Sequence, residues 1–338
     1  MTNDAPSSVA TTNTSNPRLA SGLGFALLAA ASFGLSGSLA KGLMELGWTA
    51  GSAVLVRVTI AALVLAVPGV VALKGRLHLL RSNVGAIVAY GIFAVAGAQL
   101  FYFMAVRTLD VGIAMLLEYL APVAVVLYLW IRKGQKPSRV TGVGAAVAAA
   151  GLTLLINIFG GAHISFVGIG WALGAMIGAT VYFIISADTS NPLPPITLAA
   201  SGLTVAAAVL GIAALIGFLP MGFGAGSVQF VPFAIPAWLA VTVLGVVTAA
   251  IAYVAGIAAT RRLGARLGSF VALTEVLAAT VFAWVLLGQV PAPIQIAGAA
   301  LVLAGVVIVK LGEPPMEPAE TTVEPLPVGR DVSRSTVA

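Results

Sequence analysis

The chain has 338 residues, 60% of them hydrophobic and 8% charged, and its mean hydropathy is +1.08. Soluble domains carry about a quarter charged residues, so a soluble enzyme, a nucleic-acid binder and a disordered scaffold are excluded as descriptions of the whole chain, which has the composition of a polytopic helical membrane protein. The formal charge of +6 is read as orientation in a bilayer rather than affinity for nucleic acid, and the absence of cysteine rules out disulfides, thiol catalysis and thiolate metal sites.

Residues 1–18 are rich in Ser, Thr and Asn, with no basic residue before Arg18. They lack the charged-then-apolar order of a signal peptide and read as a disordered tail. Apolar stretches of about 20 residues follow, each long enough to cross a hydrocarbon core of roughly 30 Å. They fall near 19–40, 50–72, 83–105, 109–131, 138–158, 165–186, 195–217, 236–258, 266–287 and 292–311. Ten spans result, the third and fourth nearly touching around Thr108. Between the seventh and eighth, the string GFGAG at 222–226 follows no strand and carries no P-loop lysine, so it reads as a flexible loop and not a nucleotide site. Residues 313–338 are Pro- and Glu-rich and read as a second disordered tail.

The charges assign the sides. With a cytoplasmic N-terminus the inner side holds twelve basic residues: Arg18, Lys74, Arg76, Arg81, Arg132, Lys133, Lys136, Arg139, Arg261, Arg262, Arg266 and Lys310. The outer loops hold only Lys41 and Arg107. The positive-inside rule therefore predicts both termini in the cytoplasm.

The chain also repeats itself. Residues 105–137 align without a gap on 259–291, an offset of 154, pairing Arg107 with Arg261, Leu109 with Leu263, Trp130 with Trp284, Gly134 with Gly288, Gln135 with Gln289 and Pro137 with Pro291. A weaker match at offset 146 pairs Gly22, Gly24 and Ala26 with Gly168, Gly170 and Ala172. Each copy holds five spans, an odd number, so the second enters from the opposite face. The loops agree: RTLD before the fourth span is nearly neutral where RRLGAR carries three arginines, and RKGQK after it is basic where LLGQV has no charge. The predicted fold is an all-α integral membrane protein, ten transmembrane helices arranged as two inverted five-helix repeats over 19–158 and 165–311. Such halves can exchange conformations and open a central site to each side in turn, which is the geometry of a transporter.

These residues carry a resemblance. The segment LTEVLAATVFAWVLLGQ, 273–289, with its first-copy answer LLEYLAPVAVVLYLW at 116–130 and the basic Arg57 in the second span, resembles the EamA family of the drug/metabolite transporter superfamily over roughly residues 20–312. Val276 stands where the family has proline, and Gln135 and Gln289 stand where it has an exit glutamate. The resemblance implies that spans one, three, four, six, eight and nine surround a central cavity, with the fifth and tenth at the periphery.

Charge within the spans is costly in lipid and normally faces a cavity or a partner. Glu118 and Glu275 each lie about ten residues into their spans, which puts both at the bilayer midplane, where carriers of this type hold substrates and coupling ions. Each is a candidate for binding a proton or a cationic group, or for an internal ion pair with Arg57, whose alternative partner is an anionic substrate group. Gln99 and Tyr102 share one helix face and, with Tyr253 and the deeper Trp171, are candidate pocket residues; Ser32, Ser36, Tyr182 and Thr248 sit in the same group of spans. Trp48, Trp130, Trp238 and Trp284 lie near span ends, as belt anchors do. Lys41 with Glu45, and Arg107 with Asp110, read as solvated interfacial pairs. Pro122 removes a helical N–H in mid-span and is either a gate hinge or a fixed kink. Small-residue faces on the fifth span (Gly142, Gly144, Gly151) and the tenth (Gly298, Ala299, Gly305) serve either a homodimer or packing within one subunit.

Histidines His78 and His163 lie in loops on opposite faces, and no catalytic cluster, cofactor motif or metal-ligand spacing is visible, which argues against a membrane-embedded enzyme. The tails are too short for a sensor's soluble domain. The expectation is a secondary transporter of the cell membrane, with a small-molecule substrate and the bilayer as partners, a second copy through the fifth and tenth spans left open, and no nucleic acid: an exporter of amino acids or related metabolites, with proton coupling or facilitated diffusion both open. An uptake or exchange carrier for sugars, nucleotides or drugs is the runner-up.

Overall fold

The computed structural model describes residues 17–106, 117–156, 165–288, 290 and 292–312. Both tails, the start of the fourth span, Arg107, Asp110, His163 and Gln289 lie outside the described residues.

The first span is α1 (Pro17–Glu45). It turns through Gly47 into α2 (Ala50–Val71), whose start is secured by a capping box: the Thr49 side chain accepts from the Ser52 amide at 3.2 Å and the Ser52 hydroxyl accepts from the Thr49 amide at 3.2 Å. A short α3 (His78–Ser82) precedes the third span. That span is α4 (Val84–Ala89), a π-helical stretch over Tyr90–Gly97, and α5 (Ala98–Val106). After a turn at residues 119–120 the fourth span continues as α6 (Ala121–Lys133) and ends on Gly134 in the left-handed region. The fifth span is α7 (Arg139–Ile156), the sixth α8 (Phe166–Ala187) and the seventh α9 (Pro195–Leu215).

The eighth begins at α10 (Ala237–Gly245), passes a second π-helical stretch, Val246–Ile251, and runs on as α11 (Ala252–Ala272). Gly264, at φ 79° and ψ 164°, breaks α11 in two. The eighth span therefore extends past the expected limit of 258, and one glycine rather than a loop turns it into the ninth. Only a residue without Cβ adopts that conformation freely. The ninth span breaks again at Leu273 and finishes as α12 (Thr274–Leu287), ending on Gly288; α13 (Pro293–Gly312) is the tenth.

Six of these helical stretches are long and apolar enough to cross a membrane, and four shorter apolar helices accompany them. The repeat is written in the irregularities. Gly134 and Gly288 end their helices at φ 67° and 68°, 154 residues apart. The turn at 119 and the break at 273 keep the same offset, and the two π-helical stretches overlap under it. Side-chain pattern alone does not dictate π turns or mid-span breaks, so their recurrence at one spacing marks a shared backbone design. The two repeats interlock: α1 packs on α11 and α12, α2 on α9, α5 on α8, and α7 on α13.

Two features differ from expectation. The helical bundle carries a small antiparallel ribbon, β1 (Ser227–Gln229) with β2 (Ala234–Pro236), in register Val228 to Ile235. Val228 and Phe230 are buried against Leu39 and Leu43 of α1, and the Val231 amide donates to the Leu286 carbonyl at 2.9 Å, so the ribbon straps α1 to the end of α12. The GFGAG segment is not a flexible loop but is pinned: Trp48 Nε1 donates to the Gly224 carbonyl at 2.8 Å and the Thr49 amide to the Gly222 carbonyl at 3.1 Å. A Cβ at Gly224 would overlap the Leu46 carbonyl, so glycine serves close approach here, not mobility.

The small-residue faces of the fifth and tenth helices pack on each other within the subunit. A Cβ on Gly144 would come 2.7 Å from the Val309 amide, and one on Gly151 would come 2.6 Å from that of Val302. Gly142, by contrast, faces open space. Gly151→Leu is therefore expected to force the two helices apart and lower stability by about 1–3 kcal/mol, the usual cost of overpacking, while Gly142→Leu leaves the melting temperature of the detergent-solubilised protein unchanged.

Candidate functional site

The interlocked repeats leave a central cavity of about 780 Å³. Its wall comes from α1, the start of α2, the third span around Gln99, residues 118–122, α8, both halves of α11, and α12; among the described residues, those of α7, α9 and α13 contribute nothing to it. Much of the wall is alanine and glycine, so the void exists because small side chains face it. Lys41, Met44, Leu287 and Val290 carry the lining to one end. Lys41, expected in an interfacial pair, thus stands on the cavity wall. Toward the other end, a Cβ on Gly22 would come 2.8 Å from Leu263, and the Arg262 guanidinium lies 4.6 Å from the Phe25 ring centre. There α1 and α11 are in direct contact.

The two glutamates reach this cavity from corresponding breaks. Glu118 is the residue before the turn at 119–120, and Glu275 lies in the first turn of α12, just past Leu273. Interrupted helices leave backbone N–H and C=O groups without intrahelical partners, and such ends are stable in a bilayer only where protein or a polar cavity meets them. At the α12 end the dipole favours a carboxylate. Tyr119 and Glu118 both lie close enough to Glu275 to interact with it electrostatically. Pro122 lines the cavity from the first turn of α6, where its missing N–H leaves no hydrogen bond unmade. The second repeat makes its break with Val276 in the corresponding place, so the discontinuity does not depend on a proline.

Arg57 sits across the cavity wall where the π-helical stretches converge. Its Nη1 donates to Gln99 Oε1 at 3.0 Å, and its Nη2 to the Thr248 carbonyl at 2.6 Å. Gln99 lies two residues past the end of the first π stretch and Thr248 lies inside the second. The wide π turn loosens the i→i−4 ladder and releases a carbonyl for a side chain. Arg57 is 3% exposed, its Nε has no partner, and its hydrogen bonds run to neutral groups. Glu275 acts on it only through space.

Tyr253 lines the same wall, close to Gln99. Around it Phe33, Tyr182 and Tyr90 meet at centroid distances of 5.1, 6.0 and 6.4 Å. Among the other sequence candidates, Tyr102, Ser36 and Tyr182 line the cavity. Trp171 does not; it packs on Phe101 at 5.3 Å in a separate cluster with Ala105 and Ala172. Ser32 is buried away from the lining, and Thr248 lies behind it. Tyr119, Thr260, Ser269 and Thr280 line the cavity without having been singled out. Tyr119 was legible as the neighbour of Glu118 at the break; the three hydroxyl residues gave no signal beyond lying in lining spans.

The EamA-like transporter family matches the chain over residues 20–157 and again over 166–311. The threonine/homoserine exporter RhtA of Escherichia coli K12 is 29% identical over 218 residues, 64% of this chain and 67% of the exporter; RhtA of strain O157:H7 aligns with the same values. A crystal structure, described only as that of a protein, superposes with a TM-score of 0.69 at 23% identity, covering 87% of this chain and 96% of the other, and shows the same fold.

Gly256 faces the Tyr182 hydroxyl so closely that a Cβ would overlap it, and Tyr182 is boxed in by Tyr90, Phe183 and Tyr253. Gly256→Ala is expected to destabilise the protein by about 1–3 kcal/mol through overpacking, and adding Tyr182→Phe to restore most of the loss, both read by thermal melting. Two family domains in tandem on one ten-span scaffold establish that this chain is a multi-pass membrane protein of the EamA-like transporter family, and not an enzyme.

Proposed function

We propose that the chain is a secondary transporter of the cell membrane that exports amino acids or related small metabolites by alternating access. The observation that carries this reading is the central cavity itself: walls from both repeats, one glutamate from each at a broken helix, and a lining that reaches one end while α1 and α11 meet at the other. Residues 19–158 and 165–311 are taken as the two halves that rock about it. The name of the relative, a threonine/homoserine exporter, supports small amino acids as the substrate class. Both termini are assigned to the cytoplasm on the charge balance, which makes the Lys41 end of the cavity the outer one. Glu118 and Glu275 are assigned as proton or ammonium sites, Gln99, Tyr102 and Tyr253 as cavity contacts, and the turn before Pro122 as the hinge. Self-association, if the fifth and tenth helices mediate it, uses their outward faces, where Val143, Leu303 and Val307 are exposed.

Counterflow in proteoliposomes tests the function. Internal unlabelled amino acid is expected to drive transient accumulation of labelled amino acid, which a channel does not support. Coupling is tested separately. In Glu275→Gln, flux is expected to lose its response to an imposed pH gradient while exchange persists; an unchanged response there and in Glu118→Gln leaves facilitated diffusion as the mechanism. The absence of cysteine permits a clean test of topology. Ser227→Cys is expected to react with an impermeant maleimide on intact cells, and Lys136→Cys only after permeabilisation; the reverse pattern inverts the assignment.

A further inference from the structure

We propose that Arg57 is the carboxylate receptor of a site for zwitterions, and that Glu118 and Glu275 receive the ammonium end. This rests on the amino-acid transport reading above and adds the polarity with which the substrate lies in the cavity. A guanidinium 3% exposed within a membrane is costly unless an anion or several good acceptors offset it. Arg57 has two acceptors, both neutral, and a buried Nε with none. It nevertheless stands on the cavity wall, so an arriving carboxylate meets a cation already stripped of water and already held in place. Guanidinium presents paired N–H groups that match a carboxylate's two oxygens. Gln99 is neutral, so it can surrender its oxygen without exposing a charge.

The other half of the site is acidic. Glu118 and Glu275 line the same cavity, as does Tyr119. The protein thus holds its opposite charges apart across one void instead of collapsing them into an internal pair. A ligand with both charges completes both ends at once; a ligand with one charge leaves the other end unmet in low dielectric. Between them the wall is small: a Cβ on Gly37, which lines the cavity, would meet nothing within 4 Å, leaving room for a side chain. The receptor occurs in one repeat only, since the counterpart of Arg57 at offset 146 is the buried Leu203. The two ends are therefore chemically distinct, and the substrate takes one orientation.

The test is competition against labelled L-threonine counterflow in proteoliposomes, with L-threonine itself and its decarboxylated amine, 1-aminopropan-2-ol, as competitors. In wild type the amine is expected to compete more weakly than threonine by roughly tenfold or more, the loss of one charge-assisted hydrogen bond. Arg57→Gln is expected to weaken threonine by a similar factor while leaving the amine unchanged, so that the two become nearly equal, and Arg57→Lys to recover part of the difference. Gln99→Glu supplies an internal carboxylate to Arg57 and is expected to reproduce the Arg57→Gln pattern in a chain whose buried charge is retained. Loss of both competitors in parallel, or of neither, in Arg57→Gln and Gln99→Glu overturns the proposal and leaves the transport reading standing. Failure of every α-amino acid to drive counterflow in wild type overturns the transport reading itself, and the zwitterion site with it.

Discussion

Backbone amides and carbonyls that lose their helical partners inside a bilayer must find others or face water, and this constraint organises the whole molecule. Among the described residues the third, fourth, eighth and ninth spans each depart from regular α-helix, by a π-helical stretch or a break. The π stretch of the third span and the breaks of the fourth and ninth border the central cavity, and the π stretch of the eighth lies just behind its wall, where released groups are put to use. Thr248's carbonyl meets Arg57, and the first turn of α12 presents Glu275. The fifth, seventh and tenth spans, which line nothing, run without interruption.

Much of this was legible in residues alone. Ten apolar stretches of the right length, the shift of basic residues between matched loops and the 154-residue offset give the spans, the inversion and the repeat. Counting inward from a span end singled out Glu118 and Glu275, and both stand on the cavity. What the chain conceals is where helices cease to be regular. Helical periodicity looks the same on either side of a π turn, so nothing at Tyr90–Gly97 announces that Gln99 and Thr248 converge on Arg57. An arginine among apolar residues suggests a carboxylate partner because charge prefers charge; the hydrogen bonds found run to an amide and a carbonyl because the π turn had already freed one acceptor. Trp171 misled for a different reason. Depth in a span does not specify direction, and its ring turns to Phe101 rather than to the void.

The symmetry between repeats is a symmetry of backbone more than of side chains. Helix ends at Gly134 and Gly288 match almost degree for degree, whereas Arg57 has no basic counterpart and each glutamate falls opposite an alanine. The connection between the seventh and eighth spans, with its β-ribbon across α1 and the end of α12, is likewise much longer than its short counterpart between the second and third spans. Shared irregularities keep the two halves mechanically equivalent, while the chemistry has been distributed between them: cation from one, an acid from each.

The close glycine contact of α7 with α13 bears on how the chain is made. Gly144 meets Val309 and Gly151 meets Val302, partners separated by more than 150 residues. The fifth span is therefore inserted with its notched face open and has to wait for the tenth before that face is filled. Until then lipid or another helix occupies the groove. Contacts of such long sequence separation form late, so premature termination just before residue 293 would leave nine spans in the membrane and a ready adhesive edge on the fifth, the kind of half-finished surface that quality-control proteases are built to find.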